Sequence, residues 1–120
     1  MTARDVVRTA GSVLLAAWGA LLLTRPEEVA TALTAGSPPP DAVVRALGAR
    51  RVVQHLAVAL VPSHRLALTA AGVDALHAVS MLAAASVVPR YRRAALTSAV
   101  GAAGAAVFTA ASAAPPSSRP

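Results

Sequence analysis

The side chains of this sequence that could do chemistry lie in two neighbouring segments, residues 42–61 and 66–88. Each segment combines ionisable or hydrogen-bonding groups with apolar runs. These groups are Arg50, Arg51, Gln54, His55, Asp74, His77 and Ser80. An acid beside an arginine can form an ion pair or handle a proton, and two histidines with a carboxylate can bind a metal ion.

Segment 66–88 is long enough to cross a bilayer as a helix. A helix rises about 1.5 Å per residue, so about 20 apolar residues span a hydrocarbon core of about 30 Å. Asp74 and His77 are three residues apart and therefore share one helical face. Because a charged Asp at membrane depth costs about 2.5–3.5 kcal/mol, Asp74 is expected to face other helices and to have a partner.

Segment 42–61 is too polar for an ordinary spanning helix, and a tight turn at residues 62–65 connects it to 66–88. Two helices joined by so short a loop should be antiparallel neighbours. Equal steps from the turn place Asp74 level with residues 51–55 and His77 level with Arg50. The spacing therefore predicts one buried polar cluster, with Asp74 paired to Arg50 or Arg51.

Composition indicates a membrane protein. Of 120 residues, 56% are hydrophobic and 13% are charged, whereas soluble domains carry about 25% charged residues. We predict an all-α fold, a four-helix membrane bundle whose antiparallel neighbours include the polar second helix packed on the third. The predicted helices, in a single domain of residues 1–114, are 6–23, 42–61, 66–88 and 94–114. Since Ala-rich helices are only moderately hydrophobic, a soluble bundle is the alternative.

The remaining predictions concern the loop, the tail and the small residues of the helices. Residues 24–41 read as a surface loop containing a short helix, and residues 115–120 as a disordered tail. Small residues recur every four positions in two helices, which favours close helix contact within the bundle or with a second copy. These ridges are Ser12, Ala16 and Ala20, and Ala94, Ser98, Ala102, Ala106 and Ala110.

All eleven basic residues are arginine, and the formal net charge is +6. The densest basic turn contains Arg90, Tyr91, Arg92 and Arg93. Arginine and tyrosine beside apolar helices are typical of contact with lipid headgroups. Basic residues do not interleave with aromatic ones as in nucleic-acid binders. The expected partner is therefore the lipid bilayer of the cell membrane, not nucleic acid.

Three motifs resemble a group of small, uncharacterised actinobacterial multi-pass membrane proteins. They are a Gly-x-Arg-x-x-x-Gln segment, an Asp-Ala-Leu-His-Ala-x-Ser-Met segment and an Arg-rich turn. The matching residues are Gly48, Arg50, Gln54, Asp74, His77, Ser80, Met81, Arg92 and Arg93. The resemblance covers roughly the middle and the C-terminal half of the chain. It implies a multi-pass membrane protein and no particular activity.

Three functions fit these observations. The first is a non-enzymatic structural or accessory membrane subunit, in which the polar cluster joins helices. The second is an oligomeric transporter-like protein that moves protons or a small solute through the cluster. The third is a metal-binding membrane protein using His55, Asp74 and His77. The sequence contains no cysteine, and no hydrolase motif surrounds His77 and Ser80. We therefore expect a protein that is not an enzyme, and we predict no cofactor.

Overall fold

The computed structural model describes residues 2–34 and 38–113, and all regular secondary structure in these residues is helical. It contains five α-helices and one short 3₁₀ helix, Pro89–Tyr91. The α-helices are α1 (Ala3–Thr24), α2 (Pro26–Thr34), α3 (Asp41–Leu60), α4 (His64–Val87) and α5 (Arg92–Ala113). The predicted tail, residues 115–120, lies outside the described residues, as does the last residue of the predicted helix 94–114.

The predicted all-α class is confirmed, and local capping explains where two of the helices begin. Helix α1 starts at Ala3 because Thr2 and Asp5 form a capping box, in which the Asp5 N–H donates to Thr2 Oγ1 at 3.2 Å. Helix α4 starts at His64 because Ser63 Oγ accepts from the Leu66 N–H at 3.2 Å. Both helices therefore begin two or three residues before the predicted positions.

The long helices pack as two antiparallel pairs, α1 with α3 and α4 with α5. The sequence predicts that the polar helix 42–61, which is α3, packs on helix 66–88, which is α4. In the structure, the closest backbone contact of α3 is with α1. Gly19 of α1 and Gly48 of α3 face each other, so the two backbones approach more closely than larger residues would allow. Helix α3 meets α4 mainly through side chains.

The predicted ridges of small residues lie only partly in these contacts. On α1, Ser12, Ala16 and Gly19 are buried, whereas Ala20 is exposed. The buried residues of α5 are Ala95, Ala99, Ala102, Ala105, Thr109 and Ala113. A strict four-residue repeat advances about 40° around a helix at each step. The predicted line therefore drifts out of the interface, and its last member, Ala110, is exposed.

The two pairs are joined at one end of the bundle and diverge at the other. At the joined end, Val58 of α3 packs with Ala67 and Ala70 of α4 and with Ala113 of α5. His64 forms a hydrogen bond there with the Ala113 carbonyl. At the other end, a cavity of about 510 Å³ separates the start of α3 from the end of α4 and the start of α5.

Large apolar side chains are distributed mostly on the outside of the bundle. Large aliphatic side chains face outward, including Leu14 at 70% exposure, Leu76 at 68% and Val100 at 73%, while the interior contains mostly alanine and polar groups. Three segments of the described chain are long and apolar enough to cross a membrane: Ala3–Thr24, His64–Val87 and Pro89–Ala113. Helix α3 falls outside this set; its first eleven residues include Asp41 and three arginines.

Candidate functional site

Asp74, near the middle of α4, is completely buried and is bound by three side chains of α3. Arg50 Nη1 donates to Asp74 Oδ1 at 3.3 Å, and Gln54 Nε2 donates to Oδ2 at 2.9 Å. His55 Nε2 lies 3.6 Å from the same Oδ2 atom. We call Arg50, Gln54, His55 and Asp74 the polar cluster. Its ion pair and hydrogen bonds connect the α1–α3 pair to the α4–α5 pair.

Helix periodicity positions the α3 side of the polar cluster. Arg50 and Gln54 are four residues apart and lie on one face, where Arg50 Nη1 also donates to Gln54 Oε1 at 2.9 Å. The Gln54 amide donates a second time, to the Ala70 carbonyl at 3.2 Å. Because this amide bridges Arg50, Asp74 and the α4 backbone, it fixes the register of α3 against α4.

Of the two arginines proposed for Asp74, the structure places Arg50 beside it and Arg51 elsewhere. Consecutive residues of a helix point about 100° apart, so the two guanidinium groups leave α3 in different directions. Arg51 is only 3% exposed, and its Nε has no hydrogen-bond partner among the described residues. It faces α1 and α5, where it lines a second cavity with Trp18 and Gly101.

His77 and Ser80, also predicted for the cluster, have other partners. His77 Nε2 and Ser98 Oγ of α5 are hydrogen-bonded at 2.8 Å, a contact that links α4 to α5. Ser80 is exposed and donates to the Leu76 carbonyl of its own helix at 2.8 Å. Six residues correspond to a rotation of about 240° from Asp74, which turns Ser80 away from α3. Ser98 was visible in the sequence only as a small residue of the predicted α5 ridge.

The three candidate metal ligands do not come together. His55 and Asp74 are close, but the ring of His77 is engaged by Ser98 on the side facing α5. Across residues 2–34 and 38–113, no group of three His, Cys, Asp or Glu side chains is placed to hold a metal ion. The arrangement therefore offers two of the ligands that a two-His, one-carboxylate site requires.

The contact between His77 and Ser98 has the spacing of a nucleophile and its base, but it lacks the rest of a catalytic arrangement. Within the described chain, no carboxylate forms a hydrogen bond or ion pair with the His77 ring. Ser98 lies inside α5, where backbone N–H groups already donate to the preceding turn and cannot stabilise an oxyanion. This geometry suits helix packing more than acyl transfer.

The basic turn lies at the diverging end of the bundle. The guanidinium of Arg90 lies 5.3 Å from the centroid of the Tyr91 ring, and Arg92 Nε donates to the Ala85 carbonyl at 3.1 Å. Arg92 thereby satisfies a backbone acceptor in the last turn of α4. Arg90 and Arg93 are exposed, as is most of Arg92, so all three can present positive charge outward.

Two cavities flank α3 at this end. The Arg50 cavity, of about 510 Å³, lies between α3, α4 and α5 and has Arg50, His77 and Ser98 among its lining residues. The Arg51 cavity, of about 330 Å³, lies between α1, α2, α3 and α5. Five residues border both cavities: Pro39, Val44, Leu47, Ala94 and Ser98. Most of the other lining residues are apolar.

Comparison of the chain with protein families, curated proteins and solved structures finds no match.

Proposed function

We propose that this chain is a non-enzymatic, multi-pass protein of the cell membrane that serves as a structural or accessory subunit. The observation that supports this best is the environment of Asp74. Its carboxylate is fully buried, and both of its oxygens accept hydrogen bonds from α3. A carboxylate held in this way is suited to joining helices, since releasing it would leave an unpaired charge in the interior.

Location in the bilayer is supported by the outward aliphatic surface and by the three apolar segments. Helix α3 is proposed as the fourth membrane helix of a four-helix membrane bundle, despite its polar composition. Its exposed charges, Asp41 and Arg45, lie in the first five residues, whereas the later exposed side chains include Val53, Leu56 and Leu60. The outer face of α3 beyond Arg45 would therefore meet lipid, while Arg50 and Arg51 face the interior of the bundle.

The proposed partner is the lipid bilayer. Arg90, Arg92 and Arg93 would contact anionic headgroups together with Tyr91, each exposed basic residue contributing about 1 kcal/mol near such a surface. Small-residue faces would support contact with a second copy or with a larger membrane complex. The resemblance to small actinobacterial multi-pass membrane proteins agrees with this proposal, which includes no nucleic-acid binding.

A second candidate, transport of protons or a small solute, is favoured by one observation. Arg50 borders a cavity of about 510 Å³, and 28% of its side chain is exposed, so the partner of Asp74 can be reached from the diverging end. Ionisable groups at membrane depth often mark such pathways. Four helices are few for a monomeric transporter, so this function would require an oligomer.

Asp74→Asn distinguishes the two functions because it removes the charge and keeps the shape. If the cluster is structural, the variant should lose about 3 kcal/mol of unfolding free energy and give less folded protein, since Arg50 is left without its carboxylate. Asp41→Asn, the same change at an exposed position, should lose less than about 1 kcal/mol. Both would be measured by unfolding of purified protein in detergent.

The same variants should be tested for pH-driven flux in proteoliposomes. We expect no flux above that of empty vesicles for the wild-type chain. A wild-type flux that disappears in Asp74→Asn, while the variant unfolds like the wild type, would contradict the structural function and support transport.

A further inference from the structure

Arg51 is buried, and its guanidinium has no hydrogen-bond or ion-pair partner among residues 2–34 and 38–113. Only 3% of the residue is exposed. The nearby carboxylate of Asp74 is already engaged by Arg50, Gln54 and His55. Arginine stays protonated in proteins, so Arg51 places in the interior a positive charge that no described carboxylate pairs with directly.

The buried charged groups of α3 and α4 have an excess of positive charge. Arg50, Arg51 and Asp74 together carry a formal charge of +1, and protonation of the neighbouring His55 or His77 would only raise it. Buried charges in proteins are normally paired or hydrogen-bonded. Since no described acidic side chain lies within ion-pair distance of Arg51, a ligand is a natural source of the missing negative charge.

The Arg51 cavity defines what such a ligand would look like. Its volume of about 330 Å³ is near the lower limit of about 300 Å³ for small-molecule pockets, which suits one short chain or one ring and excludes a two-chain phospholipid. Trp18, Leu22, Leu33 and Leu47 supply apolar walls. Besides Arg51, hydroxyl-bearing residues also line the cavity: Thr34, Thr97 and Ser98.

The hydrogen bonds that these hydroxyl groups already form indicate where the polar group of a ligand would bind. Thr34 already donates to the Ala30 carbonyl at 2.6 Å, and Ser98 is bonded to His77. Arg51, Thr97 and the indole N–H of Trp18 therefore remain as side-chain donors for a ligand, and of these only Arg51 is charged. A guanidinium matches a carboxylate with two parallel hydrogen bonds, whereas the apolar walls would not replace the hydration of a small inorganic anion.

We infer that the Arg51 cavity binds a small monocarboxylic acid with an apolar body, such as a medium-chain fatty acid. The carboxylate binds the guanidinium of Arg51, and the apolar body packs against Trp18 and the leucine side chains. This site lies on another side of α3 from the polar cluster, so the inference does not rest on whether that cluster is structural.

The test uses the purified full chain in nanodiscs of a zwitterionic lipid, titrated with decanoate. Trp18 is the only tryptophan and lines the cavity, so its fluorescence reports binding directly. We expect a saturable change with decanoate and at least tenfold weaker binding of decanol, which has the same chain and no charge. Acetate, which supplies the head alone, should also bind at least tenfold more weakly.

Two variants and one control complete the experiment. Arg51→Met should weaken decanoate binding at least tenfold and, without ligand, should raise the melting temperature because a lone buried charge is removed. Arg45→Met removes an exposed arginine of the same helix and should bind like the wild type. Gly101→Leu keeps Arg51 but fills part of the cavity, so it should also weaken binding.

The inference is overturned if decanoate gives no saturable change, or if decanol binds as tightly as decanoate. Equal binding of acetate would also overturn it, since the site would then be a simple anion site. If Arg51→Met bound decanoate as tightly as the wild type, the inference would also be overturned.

Discussion

The contact between Gly19 and Gly48 gives the sharpest prediction about the fold. A Cβ atom added at Gly48 would lie 2.6 Å from the Gly19 carbonyl oxygen and 2.8 Å from the Leu23 nitrogen, whereas ordinary contact begins at 3.4 Å. A Cβ atom at Gly19 would lie 2.8 Å from the Gly48 oxygen. All three are backbone atoms, so no side-chain rotation can relieve the clash, and α1 must move away from α3.

The size of the effect follows from two opposing terms. Overpacking a closely packed interface costs about 1–3 kcal/mol, and the rigid backbone on both sides favours the upper end. The higher helix propensity of alanine offsets about 1 kcal/mol of this. We therefore expect Gly48→Ala to be less stable than the wild type by about 2 kcal/mol, with a similar value for Gly19→Ala.

Unfolding by SDS in mixed micelles, followed through Trp18 next to the contact, would measure this difference. Gly72→Ala and Gly104→Ala are matched controls, because nothing lies within 4 Å of a Cβ atom at either position. These controls should be more stable by about 0.5–1 kcal/mol. If Gly48→Ala were stabilised like Gly72→Ala, the close approach of α1 and α3 would be refuted.

Two further predictions concern hydrogen bonds between helices. Gln54→Leu should lower the unfolding free energy by about 1–3 kcal/mol, because Asp74 and the Ala70 carbonyl each lose a donor. A loss no larger than that of Ser80→Ala, a change at an exposed position, would show that Gln54 does not form these bonds. His77→Phe and Ser98→Ala should be coupled by about 1 kcal/mol in a double-mutant cycle, since each removes the same hydrogen bond. Strictly additive effects would mean that the His77–Ser98 bond does not form.

The burial of Asp74 and its pairing with one of two arginines, Arg50 or Arg51, could be predicted from the sequence. The acid lies near the middle of a segment that is long and apolar enough to cross a membrane, where a charge would be most costly. The short turn before α4 limits which residues of α3 can face it. The same counting could not separate Arg50 from Arg51. One step along a helix changes direction by about 100°, so a small error in the rotation of α3 exchanges the two.

The pairing of α1 with α3 could not be predicted in the same way. The segment between these helices includes the separate helix α2, so chain connectivity does not fix their relative position. Their contact depends on Gly19 and Gly48, single glycines in different helices whose meeting is visible only in three dimensions. The partner of His77 was missed for a related reason, since the 3₁₀ turn at Pro89–Tyr91 sets the register of α5 against α4.

The Arg50–Asp74 ion pair joins the two helix pairs. A double-mutant cycle with Arg50→Met and Asp74→Asn, measured as unfolding free energy in mixed micelles, tests this role most directly. We expect each single variant to be strongly destabilised and the double variant to recover much of the loss, with a coupling of about 2 kcal/mol. A coupling below about 0.5 kcal/mol, the level of independent sites, would contradict this role.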